Sequence, residues 1–258
     1  MPLTPIQQAF FFRQPEEPWY FNQAIMLAVP VNMNEVALQD ALTTILYHHD
    51  ALRLRYRYID DNWQQCHETV SSEKLNVELP FHIEDLSHLS RESQAEALRE
   101  RSDFWQASFN LENGPLVRLV LFNLGDESRL LWCIHHLAVD GVSWRILIED
   151  LQTAYHQAVS DQPVSLPAKT SSFKVWAERL AKWQESESLT AQADYWRKLR
   201  TAASLPVDNL TGSNRIVDSQ HYTIRFTAET TRRLLNEAPG AYRTQINDLL
   251  LTALMLTL

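Results

Sequence analysis

The run Leu131 to Arg145, LWCIHHLAVDGVSWR, obliges the chain to end a strand, turn a corner and begin a helix within a few residues. Arg129 to Ile134 are short, apolar and preceded by a charged turn, which is the pattern of a buried strand. Trp144, Leu147, Ile148, Leu151, Tyr155 and Ala158 then recur at helical spacing, so a helix of about four turns follows, with Asp140 or Ser143 as its N-cap. His135, His136, Asp140 and Gly141 occupy the corner between them. A polar corner anchored at both ends holds a side chain rigidly and still lets it reach a ligand, so chemistry is expected here.

Composition sets what can surround that corner. With 258 residues, 45% of them hydrophobic and only 5 glycines, the chain can bury a large core as one domain or two smaller ones. No charged leader followed by an apolar run opens it, and Ile246 to Leu258 is too short to span a bilayer, so no membrane partner is expected. A cytoplasmic location follows, in which Cys66 and Cys133 remain thiols. The net charge of −9, from 23 basic and 32 acidic residues, argues against a nucleic-acid surface, which needs a basic face.

Local patterns give an α+β chain. Thr4 and Pro5 announce a short helix through Phe12, a strand runs from about Phe21 to Val29, and Asn34 caps a helix ending near His48 and His49. Leu52, Leu54, Tyr56 and Tyr58 alternate with Arg53, Arg55 and Arg57, giving a strand with a basic side that turns at Asp60-Asp61-Asn62 into a partner through Cys66. Further strands are expected at Val77 to Asp85, Leu116 to Phe122 and Arg129 to Ile134, the last two joined as a hairpin, with a helix from Arg91 to Ser108 before them. The Pro- and Ser-bearing stretch Ser160 to Ser172 reads as an exposed crossing. Helices at Ser172 to Gln184 and Thr190 to Arg200, a strand through Tyr222, Ile224 and Phe226, a helix from Ala228 to Glu237 and a last helix from Gln245 complete the reading, and the chain is expected to stop within that element. Helices packed on a mixed sheet are the natural outcome.

An imidazole is the side chain whose ordinary titration lies nearest neutrality, so His136 is a competent proton acceptor. Adjacent residues leaving a strand point to opposite faces, so one of His135 and His136 meets a ligand and the other packs. A metal held by His135, His136 and Asp140 is disfavoured, because opposed histidines make a poor pair and no third clustered ligand is evident. The residues alone leave a second reading open: both histidines satisfied in the core, Asp140 only a cap, and Gly141 there to tolerate positive φ in a tight turn.

The wider pattern shifts that balance. HHLAVDGVSW resembles the HHxxxDGxSW signature of the condensation-type superfamily of nonribosomal peptide synthetases, and LTPIQQAFF, HHDALRLRY, NLENGPLVRLVLF and YRTQINDLLLTAL agree with it along nearly all of the chain. Trp144 after DGVS, the HHD wording at 48–50 and the AYRTQINDLLLTAL ending resemble the epimerization subtype. The resemblance implies a chloramphenicol acetyltransferase-like lobe over 1–160, a crossing segment with helices over 161–218, and the start of a C-terminal lobe over 219–258. It implies inversion of the α-carbon of an aminoacyl or peptidyl thioester, with no cofactor of the domain's own: the substrate arrives on the 4'-phosphopantetheine arm of a peptidyl carrier protein, among neighbouring synthetase domains.

His136, matching the second histidine, is implied to face the tunnel as acid/base, with His135, Gly141, Ser143 and Trp144 completing the motif. Asp140 is implied to hold the loop through an ion pair with an arginine of LRLR, and Arg53 is the expected partner, Arg55 the second choice. The opposing group in the family is a glutamate of the second lobe, expected to lie outside this chain, and Glu149, Glu178 and Glu229 are not assigned to it. Two other functions stay open: a condensation enzyme in which His136 aids attack of an acceptor amine on a donor thioester, and a non-catalytic module docking carrier proteins. Arg197, Lys198 and Arg200 form the densest basic cluster for such docking, and the apolar last helix is expected to drive self-association.

Overall fold

The computed structural model describes residues 1–68, 79–199, 205–212, 215 and 218–257. The chain divides into two units, Met1–Thr190 and Ala191–Leu258. In the first, the elements are α1 (Pro5–Phe12), β1 (Asn22–Val29), α2 (Glu35–His48), β2 (Leu54–Ile59), β3 (Asn62–His67), β4 (Phe81–Asp85), α3 (Arg91–Gln106), β5 (Val117–Asn123), β6 (Ser128–His135), α4 (Ser143–Val159) and α5 (Phe173–Trp183). Helix α6 (Glu187–Leu199) runs across the division.

The caps of α1 and α2 fall where the sequence puts them. Thr4 and Gln7 form a reciprocal capping box with Pro5 at the first helical position of α1. The Asn34 side chain accepts from Ala37 N at the start of α2, and Ser90 from Ser93 N at the start of α3. The β2–β3 turn is carried by Asp60 and Asp61, both left-handed at φ 50° and 57°, the conformation a two-residue hairpin loop requires.

The main sheet has the order β1-β6-β5-β4, antiparallel except for the parallel β4–β5 pair. Parallel neighbours need a crossover, and α3 supplies it. Period two along β5 and β6 sends Val117, Leu119, Leu121, Leu130, Trp132 and Ile134 to a core shared with α2 and α4. The alternate residues Val120, Phe122, Leu131 and Cys133 go to a second core under Ala97, Leu98 and Trp105 of α3. Both faces are therefore covered, which is why these strands read as continuous apolar runs. Burial pushes the Cys133 thiol up to about 12. A third cluster joins α1 to the separate β2–β3 ribbon through Phe11, Leu54, Tyr56, Leu116 and Leu137.

Three local expectations change. The strand expected from Val77 begins at Phe81, and residues 77 and 78 lie outside the described ones. Arg53 is not on a strand at all: Asp50–Arg53 form a 3-10 turn and β2 starts one residue later. In the second unit, Tyr222, Ile224 and Phe226 belong to no strand and are exposed. Alternation alone does not make a ladder, and none of the described residues pairs with that stretch. The unit's helices are α7 (Ala228–Arg232), which widens into a π-helical turn at Arg233–Glu237, then α8 (Ala238–Tyr242) and α9 (Ile246–Met255), the last capped by Gln245 and Asp248. No helix among the described residues is long and apolar enough to cross a membrane.

Candidate active site at the corner between β6 and α4

The two histidines part as strand geometry requires. His135 is 0% exposed and ends β6 on the same side as Leu131 and Cys133. The rings of Phe10, Phe21 and Phe109 meet it edge-on, with centroids 5.9–6.1 Å away. Its Nε2 lies 2.8 Å from the Pro18 carbonyl, which only accepts, so Nε2 carries the proton, and Nδ1 accepts from Leu137 N at 3.2 Å. Burial holds its pKa down to about 4, so the ring is neutral and fixed in one tautomer.

His136 takes the other side. Its backbone N–H donates to the Phe21 carbonyl at 2.8 Å, and its half-buried ring stacks on the Phe21 ring at 4.8 Å. Nδ1 lies 2.8 Å from the Val139 carbonyl and therefore carries the proton. The lone pair is left at Nε2, which faces the side-chain nitrogen of Gln23 on β1 at 3.3 Å. The Gln23 oxygen in turn accepts from the indole N–H of Trp144 at 2.8 Å. Trp144 is 9% exposed, on the first turn of α4, and packs edge-on to Trp132 of β6. The corner thus delivers one imidazole with a defined lone pair, which can accept or return a proton.

The supporting residues are arranged differently from the expectation. Asp140 is exposed and makes no pair with Arg53: its Oδ1 accepts from Ser143 N at 2.8 Å and from Ser143 Oγ at 2.6 Å. It is a carboxylate at the amino end of α4, where unpaired N–H groups and the helix dipole favour negative charge. The Ser143 hydroxyl bond, then the backbone bond, holds its pKa below the ordinary value. Ser143 is the first helical residue and Val142 holds the cap position, so neither Asp140 nor Ser143 is the N-cap.

Arg53 instead donates to the Leu46 and Tyr47 carbonyls in the last turn of α2, satisfying acceptors the helix leaves open. Arg55, the second choice, is 4% exposed and lies 3.0 Å from Glu68. Its guanidinium sits against Gly114, at φ +69°, where an added Cβ would come within 2.1 Å of it. Gly141 also departs from expectation: its φ is not positive and nothing surrounds the place of a Cβ, because the Ala138 N–His135 O turn and the Asp140 side chain make the corner without a left-handed residue.

His135, His136 and Asp140 spend their donor atoms on three separate sets of hydrogen bonds and do not converge on one point. A different trio, His48, His49 and Asp150, brings one donor atom each within 4.8 Å of the others, and His49 Nε2 bonds Asp150 Oδ2 at 2.8 Å, tying α2 to α4. Glu149, Glu178 and Glu229 are exposed, the last two in ion pairs with Lys174 and Arg232 of their own helices. In the basic cluster, Arg197 pairs with Asp194 at 2.7 Å, and Arg200 lies outside the described residues.

Sequence reasoning missed Gln23, Phe21, Val139 and Pro18. The one available signal was Asn22-Gln23, a polar pair opening an otherwise apolar strand whose alternate members Ile25, Leu27 and Val29 face the core that holds Trp144.

The Condensation domain family matches residues 1–258. A linear gramicidin synthase from Brevibacillus parabrevis is 45% identical over 261 residues, which cover 99% of this chain and 5% of that protein. The crystal structure of the epimerization domain from the third module of tyrocidine synthetase B superposes with a TM-score of 0.87 at 40% identity, over 98% of this chain and 57% of that one. The starter condensation domain of rhizomide synthetase shares the fold at 21% identity, with a TM-score of 0.62 over 77% of this chain and 47% of that one. The chain therefore spans just over half of the solved epimerization domain and a small part of the gramicidin synthase.

Proposed function

This chain belongs to the condensation domain family of nonribosomal peptide synthetases, and from that premise we propose that it serves in an epimerization domain, with His136 moving the α-proton of a carrier-bound thioester. The observation that carries the reading is the lone pair that the bond from Nδ1 to Val139 O leaves at His136 Nε2, where the Gln23 side chain meets it at 3.3 Å, in a chain 40% identical to a solved epimerization domain.

A thioester carbonyl acidifies its α C–H. His136 Nε2 takes that proton, the C–H electron pair delocalises onto the carbonyl as an enolate, and return of a proton to the opposite face gives the inverted centre. Return from the same face restores the original configuration, so inversion needs a second donor across the α-carbon. The substrate is an aminoacyl or peptidyl group on the 4'-phosphopantetheine arm of a peptidyl carrier protein, and no cofactor of the domain's own enters the step. Kinship to multidomain synthetases supports carrier and neighbouring synthetase domains as the partners, and a cytoplasmic site of synthesis goes with them.

The test is to load a carrier with an α-deuterated aminoacyl group, add the protein and follow the α-position by mass spectrometry and the configuration by chiral chromatography. Replacement of the deuteron by solvent hydrogen supports the reading. Retention of the label contradicts it, and a peptide bond formed to a second, amine-bearing carrier would assign the condensation reaction instead.

A further inference from the structure

We infer that Gln23 is a positioning residue that fixes the tautomer of His136, and that Trp144 acts through it. The inference comes from three consecutive hydrogen bonds, Trp144 Nε1 to Gln23 Oε1 at 2.8 Å, Gln23 Nε2 to His136 Nε2 at 3.3 Å, and His136 Nδ1 to Val139 O at 2.8 Å. The two ends of this chain are chemically one-way. An indole N–H only donates, so the amide must turn its oxygen to Trp144 and its NH2 to the imidazole. A backbone carbonyl only accepts, so the imidazole must turn its N–H to Val139 and its lone pair to Gln23. Each end alone dictates the same direction for the middle bond.

Two packing facts hold the relay in place. Trp144 is anchored in the core between α4 and the sheet, against Trp132. Gln23 lies on β1 in register with Ile134 of β6, on the sheet face that carries Trp144. When Nε2 gains a proton, two N–H groups face each other across the Gln23–His136 contact. Gln23 can offer its oxygen only by releasing the Trp144 indole. The tryptophan of the DGxSW segment therefore reaches the imidazole without touching it.

The tautomer stands on this geometry alone, whereas its use in α-proton transfer rests on the epimerase reading. Nitrogen-15 spectra of the histidine side chains in the full chain separate the two. In the unaltered protein His136 should be predominantly the Nδ1–H form. Gln23→Leu removes the donor to Nε2 and should move the tautomer ratio about fivefold towards Nε2–H, the population change that matches one hydrogen bond of ordinary net strength. Gln23→Glu keeps the side-chain size but offers only acceptors, so both ring nitrogens should become protonated. Trp144→Phe keeps the ring and releases the amide, and should shift the ratio in the same direction as Gln23→Leu but less.

Identical His136 nitrogen shifts in the unaltered protein, Gln23→Leu and Gln23→Glu would overturn the inference. Gln23→Glu supplies the comparison should the leucine variant fail to fold. If the protein washes out an α-deuteron, Gln23→Leu should also slow that exchange about tenfold with little change in substrate KM. A tautomer change in a protein that exchanges nothing would uphold the positioning role and refute the epimerase reading.

Discussion

The two sides of one strand end differ more than their adjacent positions suggest. On the inner side, His135 is sealed by three phenylalanines and satisfied at both nitrogens by main-chain groups. On the outer side, His136 stacks on the Phe21 ring and leaves its lone pair to one long bond from Gln23. The same side chain is thus satisfied by main-chain groups at both nitrogens in one place and in the other meets main chain at Nδ1 and only the Gln23 side chain at Nε2. The difference comes from which donors and acceptors are built around the ring, and the pleat of β6 decides which residue receives which surroundings.

If the contrast holds, perturbing the inner ring should cost stability and perturbing the outer ring should not. His135→Ala empties a packed site and strands the Pro18 carbonyl and the Leu137 N–H, so urea denaturation should show a loss of about 4 kcal/mol. His136→Ala measured alongside should lose no more than about 1 kcal/mol.

Acid sharpens the same comparison. The His135 pKa lies at about 4 in the folded protein against an ordinary 6.5, so between those values the unfolded chain binds a proton that the folded chain refuses. Stability is complete above pH 6.5 and falls as pH drops towards 4, by about 3 kcal/mol over the window. His49 and His67, whose pKa values are also lowered chiefly by burial, act in the same direction. Denaturation midpoints at a series of pH values should show the fall, and His135→Gln should flatten most of it.

Smaller effects belong to the supporting residues. Asp140→Ala should cost about 1 kcal/mol, the net worth of the side-chain bonding to Ser143 at the start of α4, and Asp140→Asn should restore most of it. A loss of several kcal/mol would instead indicate a buried charge pair. Arg197→Ala, at an exposed ion pair, should move the midpoint by less than about 0.5 kcal/mol.

How much of this could be read from the sequence depended on how local the cause was. Strands β5 and β6, the hairpins, helix α4 and the opposed histidines follow from periods of two and 3.6 and from turn residues. The α3 stripe was half legible: Ala97, Leu98 and Trp105 pack on the sheet while Phe104 is exposed and Arg101 reaches Glu84 at 2.6 Å. The Arg53–Asp140 pair failed because β2 begins at Leu54, which leaves Arg53 in a turn beside open helix carbonyls that it satisfies more directly. Gln23 stayed hidden because its role depends on the β1–β6 register, fixed by residues more than a hundred positions away. In the second unit, the Tyr222–Phe226 alternation and the exposed α9 residues Leu250, Leu251 and Leu254 show apolar pattern without burial, so pattern alone could not say what those elements pack against.

The most direct measurement compares the unaltered protein with His136→Ala on an α-deuterated aminoacyl thioester held on a carrier. Loss of deuterium to solvent that disappears in the variant, while its urea midpoint stays near that of the parent, is the expected result. Deuterium loss at the same rate in both proteins would remove His136 from the chemistry.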